Sequence, residues 1–181
     1  MRRINLNVIL ALVAVYLMAA PLAAGQDAKG MTGRDAGPQT LQEQMVGTWT
    51  VVSAVNEIDG KKIGDLYGPN PQGQFIFTRD GHFSLFIVRP GRPKFASNNR
   101  TAGTPEENKE AMAGFISEFG TYTINSDGSS VTLHIVACSF PNWEATDQER
   151  RVQITGDELK VAVPKASTGS GSSVIVLRRA K

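Results

Sequence analysis

The 181 residues carry 19 Lys and Arg against 17 Asp and Glu, a formal charge of +2, with 41% of residues hydrophobic. That length fits one domain with short extras, and a charge so near balance gives no basic patch that would argue for nucleic acid. Cys138 is the single cysteine, which excludes an intrachain disulfide.

Residues 1–25 have the layout of a secretory signal peptide. Arg2 and Arg3 form a basic start, Val8 to Met18 is apolar apart from Tyr16, and Ala20-Pro21-Leu22-Ala23-Ala24-Gly25 supplies small residues for cleavage. The alternative is an uncleaved anchor helix, but a spanning helix usually needs about 20 apolar residues, so cleavage is expected, with no membrane span after it. No cysteine follows the apolar run, which removes the thiol a bacterial lipid anchor requires. The expected location is periplasmic or secreted. Residues 26–40, rich in Gly, Asp, Lys and Thr without a period, read as a flexible leader. Residues 41–181 read as the folded domain.

Leu41 to Val46 suits one helical turn covering the end of a barrel. Gly47-Thr48-Trp49 opens a first strand that runs to Glu57 and stops near the Asp59-Gly60 turn signal. Lys61 to Pro71 is expected to be a loop. The second strand, Gly73 to Thr78, and the third, His82 to Arg89, flank Arg79-Asp80-Gly81, where Asp-Gly suits the positive φ of a hairpin turn. Thr104-Pro105-Glu106-Glu107 begins a helix with a capping box, and Met112, Phe115, Ile116 and Phe119 share one helical face. The helix packs on the barrel or covers it as a lid. Strands return at Thr121 to Asn125, Ser130 to Ser139, Glu149 to Thr155, Glu158 to Val163 and Ser173 to Arg179. The expected fold is all-β: an eight-stranded antiparallel barrel with one α-helix inserted between strands three and four.

An ordered series of motifs runs through this domain. It includes Gly47-Thr48-Trp49, Tyr67-Gly68-Pro69-Asn70-Pro71, Phe75-Ile76-Phe77-Thr78 with Asp80-Gly81, and Arg89-Pro90 with Arg92-Pro93-Lys94-Phe95. It continues through Gly103-Thr104-Pro105-Glu106-Glu107, Phe119-Gly120-Thr121-Tyr122, Phe140-Pro141-Asn142-Trp143 and Gly156-Asp157-Glu158-Leu159. With these motifs the stretch from Leu41 to Lys181 resembles the bacterial lipocalin-like domain family. The resemblance implies a lipocalin-type barrel in which the early tryptophan, Trp49, packs under an arginine of the last strand. Arg178 and Arg179 are both candidates, and Arg179 shares its face with Ile175 and Leu177. In the family pattern an acidic residue often follows two positions after the histidine matched by His134, and this chain has Val136 there.

His82 and His134 are the only histidines, and neither has a Cys or paired carboxylate at ligand spacing, so neither a metal nor a cofactor is expected. No glycine-flanked nucleophile elbow surrounds Ser84 or Ser139. His134 lies between Leu133 and Ile135, as a hydrogen-bonded strand residue or as a lumen group facing a ligand. Phe140, Asn142, Trp143 and Glu144 join two strands, either folding over a ligand at a rim or simply capping the barrel. Arg89, Arg92 and Lys94, near Tyr67, either bind a carboxylate or phosphate group or form a charged rim kept in water, and Tyr67, Arg89 and Tyr122 complete the candidate binding set. The leading expectation is an exported, monomeric barrel that binds a small apolar or amphipathic molecule. The alternatives are an isomerase or cyclase using His134 or Glu144 in the lumen, and a filled barrel acting through its surface.

Overall fold

The computed structural model describes residues 39–181, so the expected signal peptide and all but the end of the leader lie outside the described residues. Thr40 caps a short helix, α1 (Leu41–Met45): its side chain accepts the Glu43 N–H, and the Glu43 carboxylate accepts the Thr40 N–H at 2.9 Å. Nine strands follow: β1 (Gly47–Ile58), β2 (Lys61–Asp65), β3 (Gln72–Phe77), β4 (His82–Val88), β5 (Phe115–Ile124), β6 (Ser130–Cys138), β7 (Asp147–Thr155), β8 (Glu158–Val163) and β9 (Ser172–Arg179). Helix α2 (Pro105–Ala113) stands between β4 and β5, and Pro141–Trp143 forms a 3₁₀ turn between β6 and β7.

From β3 to β9 each strand pairs with the next, and β1 pairs with both β3 and β9. Eight antiparallel strands therefore close into a barrel, while β2 folds back as a hairpin on the far half of β1. Closure gives the ladder groups of these eight strands partners round the ring, and among the described residues only β2 keeps an outer edge without a strand partner. The alternation in the strands supplies the core: Phe75 and Phe77, Phe83 and Leu85, Leu133 and Ile135, and Leu159 and Val161 point inward.

One end is shut around Trp49, which is 0% exposed. Its indole N–H donates to the Met45 carbonyl at 2.7 Å, tying α1 under the barrel. Register places Trp49 opposite Arg179, whose guanidinium carbon lies 4.1 Å from the ring centroid. The same guanidinium donates to the carbonyls of Val46 at 3.1 Å and Gln44 at 2.6 Å. Gly47 has φ +131°, and a Cβ there would sit 3.2 Å from the Arg179 Nη1, so the glycine of Gly-x-Trp leaves room for the arginine.

Three expectations need correction. Residues 61–65 form β2 rather than loop, because the Asp59-Gly60 turn sends the chain back along β1. The helix consequently follows the fourth strand, not the third. The helix also ends at Gly114, short of Phe115 and Phe119. Phe115–Ile124 pairs along β4, so Ile116, Glu118, Gly120 and Tyr122 face in while Phe119 is 52% exposed. The Phe115-Ile116 pair fits helical and strand periods alike, and cross-strand pairing decided between them.

Candidate functional site

The end of the barrel away from Trp49 is its mouth, where β4 ends at Val88 and β5 begins at Phe115. A narrow lumen cavity of ≈ 40 Å³ is lined by Tyr67, Phe75, Leu133, Ile175 and Trp143, and by two charged residues, Glu118 and Arg150. A wider vestibule of ≈ 380 Å³ is lined by Leu66, Met112, Phe115 and Phe140, with Lys109. The two spaces share Leu66, Tyr67, Ile116 and Ser167 and so adjoin at the mouth.

Alternation along two strands brings the charges inside. Glu118 lies between inward Ile116 and Gly120 on β5, and Arg150 lies one inward step before Val152 on β7. Arg150 donates to the Glu149 carbonyl at 3.0 Å and to the Gln148 Oε1, and its guanidinium carbon is 5.4 Å from the Trp143 ring centroid. The Cys138 thiol lies 3.8 Å from the Glu118 carboxyl. Burial pushes Glu118 up, opposed by Arg150 and by the Cys138 hydrogen bond. The fold thus holds the Glu118 proton more tightly than the unfolded chain does. That stabilisation is fullest below the ordinary carboxylate pKa and is lost as pH rises through the raised one. Burial likewise pushes Cys138 up to about 11, which leaves it a poor nucleophile at neutral pH. It pushes Tyr67 up as well, reinforced by Glu118 and Cys138.

The residues singled out in sequence separate into groups. Tyr67, Phe140 and Trp143 come together at the mouth, with the Phe140 and Trp143 rings 5.8 Å apart edge to face. Asn142 and Glu144 are exposed on the same rim, where the Cys138 N–H donates to the Glu144 carboxylate at 3.4 Å. Tyr122 belongs to the closed end instead: its hydroxyl donates to the Thr78 carbonyl at 2.8 Å and its ring stands 5.3 Å from Phe77. Arg89 is engaged on the outside with Glu110 of α2 at 2.6 Å.

His134 is not a lumen group. Leu133 and Ile135 face in, so His134 faces out, its Nδ1 2.7 Å from Asp147 Oδ1 and its Nε2 3.2 Å from the Thr123 hydroxyl. Asp147 thus supplies a carboxylate from the neighbouring strand where the chain has Val136 two positions on. The Thr–His–Asp order invites comparison with a nucleophile relay. Yet the three lie side by side on the outer sheet face, and neither Thr123 nor His134 lines the cavity or the vestibule. This removes the lumen proton-transfer role considered for His134.

Glu118 and Arg150 did not stand out in the sequence. Gln148, Arg150, Val152 and Ile154 already alternate within a recognisable strand, so the inward position of Arg150 was available from its period. Glu118 was hidden by the helical reading of its segment.

The lipocalin-like domain family matches residues 46–181, and the chain belongs to that family. A relative from Aspergillus oryzae, described as a 4'-hydroxy-3'-methoxypropiophenone carrier protein, is 33% identical over 85 residues, covering 44% of this chain and 77% of its own length. Among solved structures, a mutant of the fluorescent protein UnaG aligns with TM-score 0.37 and 12% identity, covering 77% of this chain and 98% of its own. A biogenic amine-binding protein aligns with TM-score 0.36 and 14% identity over 75% of this chain, which spans 64% of that structure.

Proposed function

We propose that the protein is an exported, monomeric barrel that binds and carries a small apolar or amphipathic molecule at its mouth. The observation that carries this reading is the vestibule of ≈ 380 Å³ adjoining a narrower lumen through Tyr67, with Phe140 and Trp143 beside it. Concave, mainly apolar spaces with a few convergent polar groups are where small molecules bind. The carrier description of the Aspergillus oryzae relative supports the same class of activity and suggests an aryl ketone as the first probe.

Titrating 4'-hydroxy-3'-methoxypropiophenone should quench Trp143 fluorescence while Trp49, sealed at the other end, responds little. The variants Trp49→Phe and Trp143→Phe separate the two signals. Trp143→Ala should weaken binding by about 1–3 kcal/mol through lost apolar contact. If neither indole responds to this ketone or to a long-chain fatty acid while the protein stays folded, the filled-barrel reading takes the place of the carrier.

Export rests on the basic start, apolar run and small residues before Gln26. Intact-mass measurement of protein from the periplasm or medium should show a mature start near Gly25 or Gln26. Full-length chain recovered only from membranes would overturn it.

A further inference from the structure

Glu118 and Arg150 are 5% and 4% exposed and line one cavity, yet among the described residues neither forms an ion pair. Each acts on the other's charge across the cavity, but without direct contact that compensation is partial, and a buried charge kept in this way points to a partner supplied from outside the chain. Arg150 uses Nη1 and Nη2 on the Glu149 carbonyl and the Gln148 Oε1. Among the described residues, its Nε, the Glu118 Oε1 and the Tyr67 hydroxyl have no protein partner, and no buried side-chain polar atom is left sealed without one. These three groups are therefore not sealed from solvent, and all three residues line the same lumen cavity.

Taking the binding reading above as its basis, we propose that the ligand is a small organic acid bound head-first, its carboxylate in the lumen against Arg150 and Tyr67, its apolar body in the vestibule. The sizes agree. A water needs roughly 10–15 Å³ measured this way, so the lumen cavity has room for about three such groups, the size of a carboxylate. The vestibule, walled by Leu66, Met112, Phe115 and Phe140, has the room and apolar lining for the remainder. A guanidinium is the side chain best shaped to receive a carboxylate, and the bond is charge-assisted.

Glu118 would oppose an anion only when ionised. It is faced by Arg150 from β7, Cys138 from β6 and Tyr67 from the segment after β2, with Glu144 acting on Cys138 from the rim. Burial favours its neutral form, in which it donates a hydrogen bond to the bound carboxylate.

Calorimetric titration of the full-length mature protein near neutral pH with octanoate and with octanol tests this without any variant. Octanoate should bind about tenfold tighter or more, as expected for a charge-assisted hydrogen bond in a desolvated site. Arg150→Met should abolish that preference, Arg150→Lys should reduce it, and circular dichroism confirms that each remains folded. Octanol binding as tightly as octanoate in the unmodified protein overturns the acid assignment while leaving the carrier in place. Silence towards both probes with the aryl ketone still bound also overturns it, and silence towards all three removes the binding reading itself.

Discussion

Trp49→Ala should lower stability by about 3–5 kcal/mol, the range seen when a large aromatic side chain is deleted from a core. Three things are lost together: the buried indole, the hydrogen bond from its N–H to Met45, and the surface on which Arg179 lies. Arg179→Ala should cost less, because the arginine is partly exposed and its stacking on an indole contributes on the order of 0.5–2 kcal/mol. The two losses should not add, since the second removes an interaction the first has already broken. Urea unfolding of the two single variants and the double variant measures the coupling. Strict additivity would show that the contact contributes nothing.

The second large effect is expected at Gly120. A Cβ there would stand 2.0 Å from the His134 carbonyl oxygen, at the bulge where β5 and β6 lose register after Phe119. The obstructing atom is backbone, so no rotamer change relieves it and the two strands must separate. Gly120→Ala should therefore cost about 3 kcal/mol or more, at the upper end of overpacking penalties. Gly128→Ala makes a sharp comparison. Its φ is +64°, but a Cβ added there would meet nothing within 4 Å, so only the left-handed backbone is penalised, by roughly 1–2 kcal/mol. Equal midpoints for the two variants in denaturant would show that the close approach at Gly120 does not constrain the barrel.

These two positions also mark the limits of what the sequence disclosed. Gly47-Thr48-Trp49 and the terminal arginines belong to motifs that imply the closed end, and the structure places Arg179 on the indole. The Asp80-Gly81 hairpin was legible because turn chemistry is local: Gly81 has φ +85°, as the turn demands. Gly120 gave no such signal, because its neighbour is another strand's backbone. The start of β5 was lost for the same reason, its period being ambiguous until β4 is alongside.

The mouth aromatics Phe140 and Trp143 could be placed at a rim because they sit in a short connection between strands. Of the charged groups that line the lumen, Arg150 had an inward position legible from the period of its strand, whereas Glu118 was concealed by the helical reading of its segment. Neither pattern discloses the surroundings that hold a charged group inside. Those surroundings, for Glu118 and Arg150, come from β6, β7 and the 3₁₀ turn together.

The clasp at the closed end also fixes where the chain can be attached to other things. Arg179 is tied to the carbonyls of Gln44 and Val46, and the Ala180 N–H donates to the Thr48 carbonyl at 2.9 Å. The C-terminus therefore departs from beneath the barrel, on the side opposite Tyr67 and Phe140. A fluorescent reporter or a sensor-surface tether fused after Lys181 would leave the vestibule facing solution. Under the binding proposed above, uptake by immobilised protein should then match that of the free chain, whereas a graft at the rim, between Phe140 and Glu144, would obstruct the mouth directly.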